Sequence, residues 1–434
     1  MDKLTERLKG PDMVASFQKY FGIRAIFSVN HEMINNVNSK ESGNIHHHTK
    51  SSSNKKVVIH SQSNGHVTED KEVYKRKRVH KDDSKSIPDG NNCYYTAECS
   101  QNGHIVKYEI TNKFWYWLFA FGASLGYEVF YATFFPFWFW NIDGAVGRQM
   151  ILLWALVMYV GQSLKDVIRW PRPSSPPVVV MEPEYAIEYG MPSTHAMVGS
   201  VLPFSMVIFT MHRYDYPEWI GFVFATLWCA LVCGSRLYLG MHSVLDILAG
   251  LVLSAFMMLL LLPIIEALDT FLLINKYSPF LSIPLVIAMA TFYPKSDHWS
   301  PARGDTCVII GAGSGILFGS WLNYQLGIIR GPSLPRPFPI MWPGFNLIGL
   351  ALLRACIGIL CIVGVRALGK FATFSLVCYI HKLNPKDPET RIKPYVEIPV
   401  KLLTYFFMGI SITYLAPKVF RLLYIERPTM FTEV

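Results

Sequence analysis

Charge is what this sequence has least of. Only 16% of its 434 residues are Asp, Glu, Lys or Arg, where an ordinary soluble domain carries roughly 25%, and that deficit argues against a solvated globular fold. No Asn-x-Ser/Thr sequon occurs, so N-linked sugar cannot mark one side of a membrane. The N-terminus lacks a basic stretch followed by an apolar core, the pattern of a secretory signal, so the first membrane spans are expected to direct insertion. No nucleic-acid module is visible; a net charge of +9 beside apolar spans points to lipid headgroups, and nucleic acid is not expected as a partner. Cysteine pairing has little scope. Cys229, Cys233, Cys307, Cys356, Cys361 and Cys378 lie in or beside apolar runs, where a thiol acts as a small hydrophobe, which leaves only Cys93 and Cys99 placed to pair.

Hydrophobic residues make up 51% of the chain and are concentrated after about residue 114. Uncharged runs at 114–140, 148–164, 196–211, 219–234, 245–265, 279–294, 307–328, 345–365 and 402–425 approach the ~20 residues that cross a ~30 Å hydrocarbon core. The fold class expected is all-α, a polytopic transmembrane helical bundle of about nine spans, preceded by a disordered N-terminal tail. Three regions follow: 1–110 as mostly disordered tail with a short amphipathic helix at its start, 111–265 as core spans, and 266–434 as C-terminal spans. Within the tail, residues 27–103 hold almost no apolar clusters and cannot offset the entropy of ordering. The triple histidine 46–48 and the basic run 74–83 read as tail composition. The GAGSG stretch at 311–315 lacks the lysine of a nucleotide loop and lies in an apolar run, so small residues packing between helices explain it better. Glu128, in the first run, receives no assigned role.

Three polar clusters interrupt the pattern, each at the end of a run: KDVIRWPRP at 165–173, PSTH at 192–195 and SRLYLGMHSVLD at 235–246. Two membrane crossings between the first and last return all three to one face, so about 80 residues of separation do not keep them apart. Lys165, Arg172 and Arg236 bring three positive charges. Ser193, with Thr194 and the backbone N–H groups where the third helix begins, adds neutral donors, which together make a grip for a phosphate dianion. His242 and Asp246, four residues apart, are expected to share a face of the fifth helix. The carboxylate would hold one imidazole nitrogen and leave the other as nucleophile, and His195 is left to protonate a leaving alcohol. The loop between the first two clusters carries Glu182, Glu184 and Glu188, too acidic for a phosphate grip and expected at the rim, where it could meet a cationic headgroup.

As a set, Lys-x6-Arg-Pro, Pro-Ser-x-His and Ser-Arg-x5-His-x3-Asp resemble the signature of the type 2 phosphatidate phosphatase superfamily, with Thr194 where glycine is usual. FFPFWFWN, VMYVGQSLKDVIRWPRPSSPPVV, MPSTHAM, MHSVLDI and RGDT resemble its sphingosine-1-phosphate phosphatase family. The resemblance implies that His242 attacks phosphorus to form a phosphohistidine, Asp246 orients it, His195 is acid then base, and Lys165, Arg172, Ser193, Thr194 and Arg236 hold the phosphoryl oxygens. It implies no metal and no cofactor, a sphingoid base phosphate as substrate, membrane lipid as surroundings, and a multi-pass protein of the endoplasmic reticulum membrane. Protein partners are not readable. With nine spans the clusters share a face with the N-terminal tail and the basic loop expected at 366–401, which favours a cytosolic site by the positive-inside rule, whereas the resemblance favours a lumenal one. A phosphatase of another lipid or isoprenoid phosphate is the alternative on the same scaffold, and a non-catalytic transporter or scaffold is the alternative outside it.

Overall fold

In the computed structural model the described residues are 2–27, 95–101, 104–298, 300–331, 337–340 and 344–433; the triple histidine, the basic run 74–83 and Cys93 lie outside them. The chain falls into two units, residues 1–24 with 110–434, and residues 25–109. Ile23–Phe27 (β1), Tyr95–Gln101 (β2) and His104–Ile110 (β3) form a three-stranded sheet in the order β1-β3-β2, all within the stretch 1–110 read as tail.

The larger unit is helical. Asp2–Lys9 (α1) and Pro11–Tyr20 (α2) precede the bundle. Gln18 on α2 donates to the carbonyls of Val179 and Tyr238 at 2.7 and 2.9 Å, so the amphipathic start is stitched to the loop after the first polar cluster and to the helix end that carries the third. The bundle follows as Lys113–Ser124 (α3), Glu128–Asn141 (α4), Gly144–Ile168 (α5), Thr194–Met211 (α6), Glu218–Tyr238 (α7), Val244–Ile274 (α8), Ser278–Thr291 (α9), Ala302–Gln325 (α10), Phe345–Ile380 (α11) and Pro394–Ile410 (α12), the last continuing through a π-helical turn to Leu422. Seven of these are long and apolar enough to cross a membrane; α3 and α4 form an eighth candidate bent by 64°, and α9 is a shorter apolar helix. Leu227, Val252, Leu259, Leu360 and Phe371 stand exposed on the outer helices, an apolar exterior that suits lipid rather than water.

Three expectations are corrected. The first run is a broken pair and not one continuous span. Helix α8 runs nine residues past the expected end at 265, to Ile274. Helix α11 runs to Ile380, so Arg366 and Lys370 belong to a helix rather than a loop. Arg and Lys are good helix formers, and nothing stops α11 until Lys382 turns left-handed (φ 51°) ahead of Asn384-Pro385. The GAGSG stretch packs α10 on α12 as expected: a Cβ on Gly311 would lie 2.8 Å from the Leu402 carbonyl oxygen, so only glycine lets the two backbones approach.

Candidate active site

The three clusters meet at one end of the bundle. Lys165 lies buried in the last turn of α5. Arg169 then takes a left-handed conformation (φ 54°) and the chain doubles back. Arg172 on that returning segment donates from Nε to the Glu188 carbonyl at 2.7 Å and from Nη1 to the Met241 carbonyl at 2.6 Å. Its Nη1 rests 3.4 Å from His242 Nε2. Two carbonyls of different loops therefore fix the guanidinium against the histidine.

Ser193 is the N-cap of α6: its hydroxyl accepts from the Ala196 N–H at 3.4 Å, and its own N–H donates to the Asp246 carbonyl at 3.0 Å. It is fully buried, and its N–H is committed to the cap segment of α8. Thr194 and His195, the first two residues of α6, do line the cavity. Arg236 occupies the last turn of α7, after which Gly240 at φ +69° turns the chain toward His242.

His242 does not share a helical face with Asp246. It precedes the first helical residue of α8 by two positions, and the two side chains meet because Ser243 and Asp246 form a capping box. The Ser243 N–H donates to Asp246 Oδ2 at 2.7 Å, and the Asp246 N–H donates to Ser243 Oγ at 3.2 Å. This leaves Asp246 Oδ2 3.8 Å from His242 Nδ1, with Asp246 Oδ1 and His242 Nδ1 both buried and without partners. A shift of under 1 Å closes that contact, within the tightening common when a catalytic site takes substrate. Burial, then the charges of Arg172, Arg236 and Lys165, hold the His242 imidazole well below its ordinary pKa, so it is neutral near pH 7 as a nucleophile must be. Burial lowers Arg172 only to about 10, and it stays charged.

The acidic loop is not a rim. Glu188 is buried and accepts from Lys165 Nζ at 2.8 Å; Glu182 accepts from Arg236 Nη2 at 3.0 Å and from the Tyr127 hydroxyl. Burial by itself would raise the Glu188 carboxyl, but Lys165, Arg172 and Arg236 outweigh it and hold it below the usual range. The Glu184 side chain lies outside the described residues.

The cavity that begins at Lys165, Arg172, His195, Arg236 and His242 continues between α4, α5, α10 and α12 along Phe135, Ile151, Trp154, Ile316 and Met408. Lys165 and Ile151 are both on its wall and fourteen residues apart on α5, so it runs about 21 Å into the bundle, more than one leaflet of a ~30 Å hydrocarbon core. Polar atoms cluster toward its head. His195 Nε2, Arg236 Nε and Nη1, Tyr131 Oη and Gln162 Oε1 are buried, lack partners and belong to residues on its wall. Glu128 is also on the wall and accepts from Tyr405 at 2.8 Å. Sequence reasoning missed Tyr131 and Gln162. The second was findable, since Gln162 precedes Lys165 by three residues and shares its helix face.

Comparison with known proteins accords with this geometry. The PAP2 superfamily matches residues 147–269, the segment that holds all three clusters. The rat sphingosine-1-phosphate phosphatase 1 is 42% identical over 323 residues, 74% of each chain. The human sphingosine-1-phosphate phosphatase 2 is 40% identical over 325 residues, 74% of this chain and 81% of that one, and the Arabidopsis thaliana lipid phosphate phosphatase delta is 33% identical over 254 residues, 56% and 59%. No solved structure matches. Identity of that depth across the spans as well as the clusters means that the chain belongs to the sphingosine-1-phosphate phosphatase family of the PAP2 superfamily.

Proposed function

We propose that the protein hydrolyses sphingosine 1-phosphate and related sphingoid base phosphates to the free base and phosphate, as a multi-pass enzyme of the endoplasmic reticulum membrane. One observation carries the reading: three cations and two histidines converge at the head of a cavity whose remainder is apolar and about 21 Å deep. A phosphate head gripped by Lys165, Arg172, Arg236 and the first turn of α6, on a chain lying among Phe135, Ile151 and Met408, is what that shape accommodates. In the first step the His242 Nε2 lone pair forms an N–P bond as the P–O ester bond breaks, and His195 gives its proton to the departing alkoxide. In the second a water attacks phosphorus, His195 takes the water's proton, and the N–P bond breaks to release phosphate and free His242. Asp246 holds Nδ1 protonated and directs Nε2 outward.

The test is phosphate release by the purified protein in detergent, comparing sphingosine 1-phosphate with phosphatidate and an isoprenoid phosphate. The sphingoid substrate should be turned over fastest, in EDTA as well as without it, because the three cations neutralise the phosphoryl charge. Orthovanadate should inhibit by bonding to His242 in the geometry of the in-line transition state. Faster turnover of either competitor contradicts the substrate assignment, and loss of activity in EDTA that magnesium restores contradicts the chemistry.

A further inference from the structure

Two carboxylates occupy the positions from which a phosphate must draw its ligands. Glu188 Oε2 stands 2.8 Å from Lys165 and Glu182 Oε2 stands 3.0 Å from Arg236, all four side chains at most 13% exposed. Lys165, Arg172 and Arg236 meet Glu182, Glu188 and Asp246 there; of the other carboxylates on the wall, Asp305 is paired with Lys401 and Glu128 accepts from Tyr405, so with His242 neutral the three cations are already balanced before any substrate arrives. A lipid carrying only a phosphate dianion adds two negative charges to that balanced, buried site. It must also take Lys165 and Arg236 from their partners, leaving two desolvated carboxylates without a counter-charge, Glu182 keeping only the Tyr127 hydroxyl. A lipid with an ammonium close to its phosphate brings the missing counter-charge with it.

We infer that Glu182 and Glu188 are the specificity element for an amino-bearing phosphate monoester: the phosphate takes Lys165 and Arg236, and the released carboxylates take the ammonium. The inference rests on the phosphatase reading above. A second feature points the same way. Gln162 Oε1 is an acceptor, buried and without a partner, one helical turn below Lys165 on the cavity wall, where the atoms next to a gripped phosphate would lie. Anion grip, paired carboxylates and a waiting acceptor together describe a polar head that is an amino phosphate, followed by a hydrocarbon chain.

The experiment compares two single-chain phosphate monoesters that differ only in the amine, octadecyl phosphate and 2-aminooctadecyl phosphate, in matched micelles. The parent should favour the amine by roughly tenfold or more in kcat/KM, the scale of one or two charged hydrogen bonds. In the Glu182→Gln/Glu188→Gln double variant the preference should fall below about threefold, with turnover of octadecyl phosphate rising above the parent's because no carboxylate competes for Lys165 and Arg236. Each ratio is taken within one preparation, so a smaller folded fraction cancels. An amine preference kept by the double variant, or absent from the parent, overturns the inference while leaving the phosphatase reading intact. A parent that hydrolyses neither lipid overturns both.

Discussion

Gly126 offers a way to disable His195 without touching it. The break between α3 and α4 puts this glycine against the imidazole. A Cβ there would lie 2.8 Å from His195 Nε2 and 3.0 Å from Cγ, with Cδ2 closer still. Gly126 is not among the positive-φ residues, so alanine strains nothing in the backbone; the conflict is purely one of space. Carbon atoms rest at ~3.5 Å or more, so the ring, led by Cδ2, must retreat by more than about 1 Å in Gly126→Ala. A displacement of that size at a reacting group costs on the order of 100-fold, or ~2.7 kcal/mol of barrier. The loss should depend on the leaving group. A lipid alkoxide needs the proton that His195 supplies, whereas an aryl phosphate leaves readily without it. Steady-state kcat for sphingosine 1-phosphate and a burst-phase measurement with p-nitrophenyl phosphate are the paired assays. Gly122→Ala is the control. One turn earlier on α3, its Cβ would meet Leu231 at 2.8 Å, so it should disturb packing and leave the leaving-group dependence alone. The reasoning is refuted if Gly126→Ala keeps lipid turnover within a few-fold of the parent, or if the lipid and the burst phase of the aryl substrate fall together.

Three further outcomes are expected. Ala312→Phe, on the cavity wall beyond the polar head, should exclude about three methylenes of a long chain, ~2.4 kcal/mol at ~0.8 per methylene, and raise KM for sphingosine 1-phosphate about 50-fold while sparing short aryl phosphates; equal effects on both contradict the chain's placement. Arg172→Met removes the cation beside His242 Nε2, which makes the imidazolium less unfavourable and raises the His242 pKa part of the way back, burial being unchanged. The acid limb of kcat/KM should therefore move to higher pH, and a limb that stays in place contradicts the electrostatic reading. Gly311→Ala should lower thermal stability in detergent by about 1–3 kcal/mol through the clash with the Leu402 carbonyl, and an unchanged midpoint contradicts that close packing.

The convergence of the three clusters was legible because polar residues punctuate apolar runs and span parity returns them to one face. Lys165, Thr194, His195, Arg236 and Asp246 sit within a turn of a helix end, where the runs themselves end. What was not legible depends on contacts between distant segments. Glu182 and Glu188 looked like solvated rim because nothing in a loop's composition reveals that its carboxylates fold inward onto Lys165 and Arg236. The position of the bend in the first run was not fixed by the sequence for a similar reason: Glu128 marks the interruption, but Gly126 makes room for a histidine about 70 residues away, a contact that no local pattern reveals. His242 and Asp246 were brought together by the right spacing but through the wrong device, a capping box rather than a helical face. Ser193, read as a phosphate ligand, is also the cap of its helix, a second role that a hydroxyl at a helix start serves equally well and that the sequence pattern did not separate.

The phosphoenzyme is the most direct measure of the central claim. Radiolabelled aryl phosphate, acid-sparing quench and peptide mapping should place an acid-labile label on His242. That label should be absent from His242→Ala and more abundant in His195→Ala, where the first step needs no proton but the attacking water has lost its base. Label retained in His242→Ala, or a His195→Ala protein that turns over without accumulating any, would contradict covalent catalysis by this histidine.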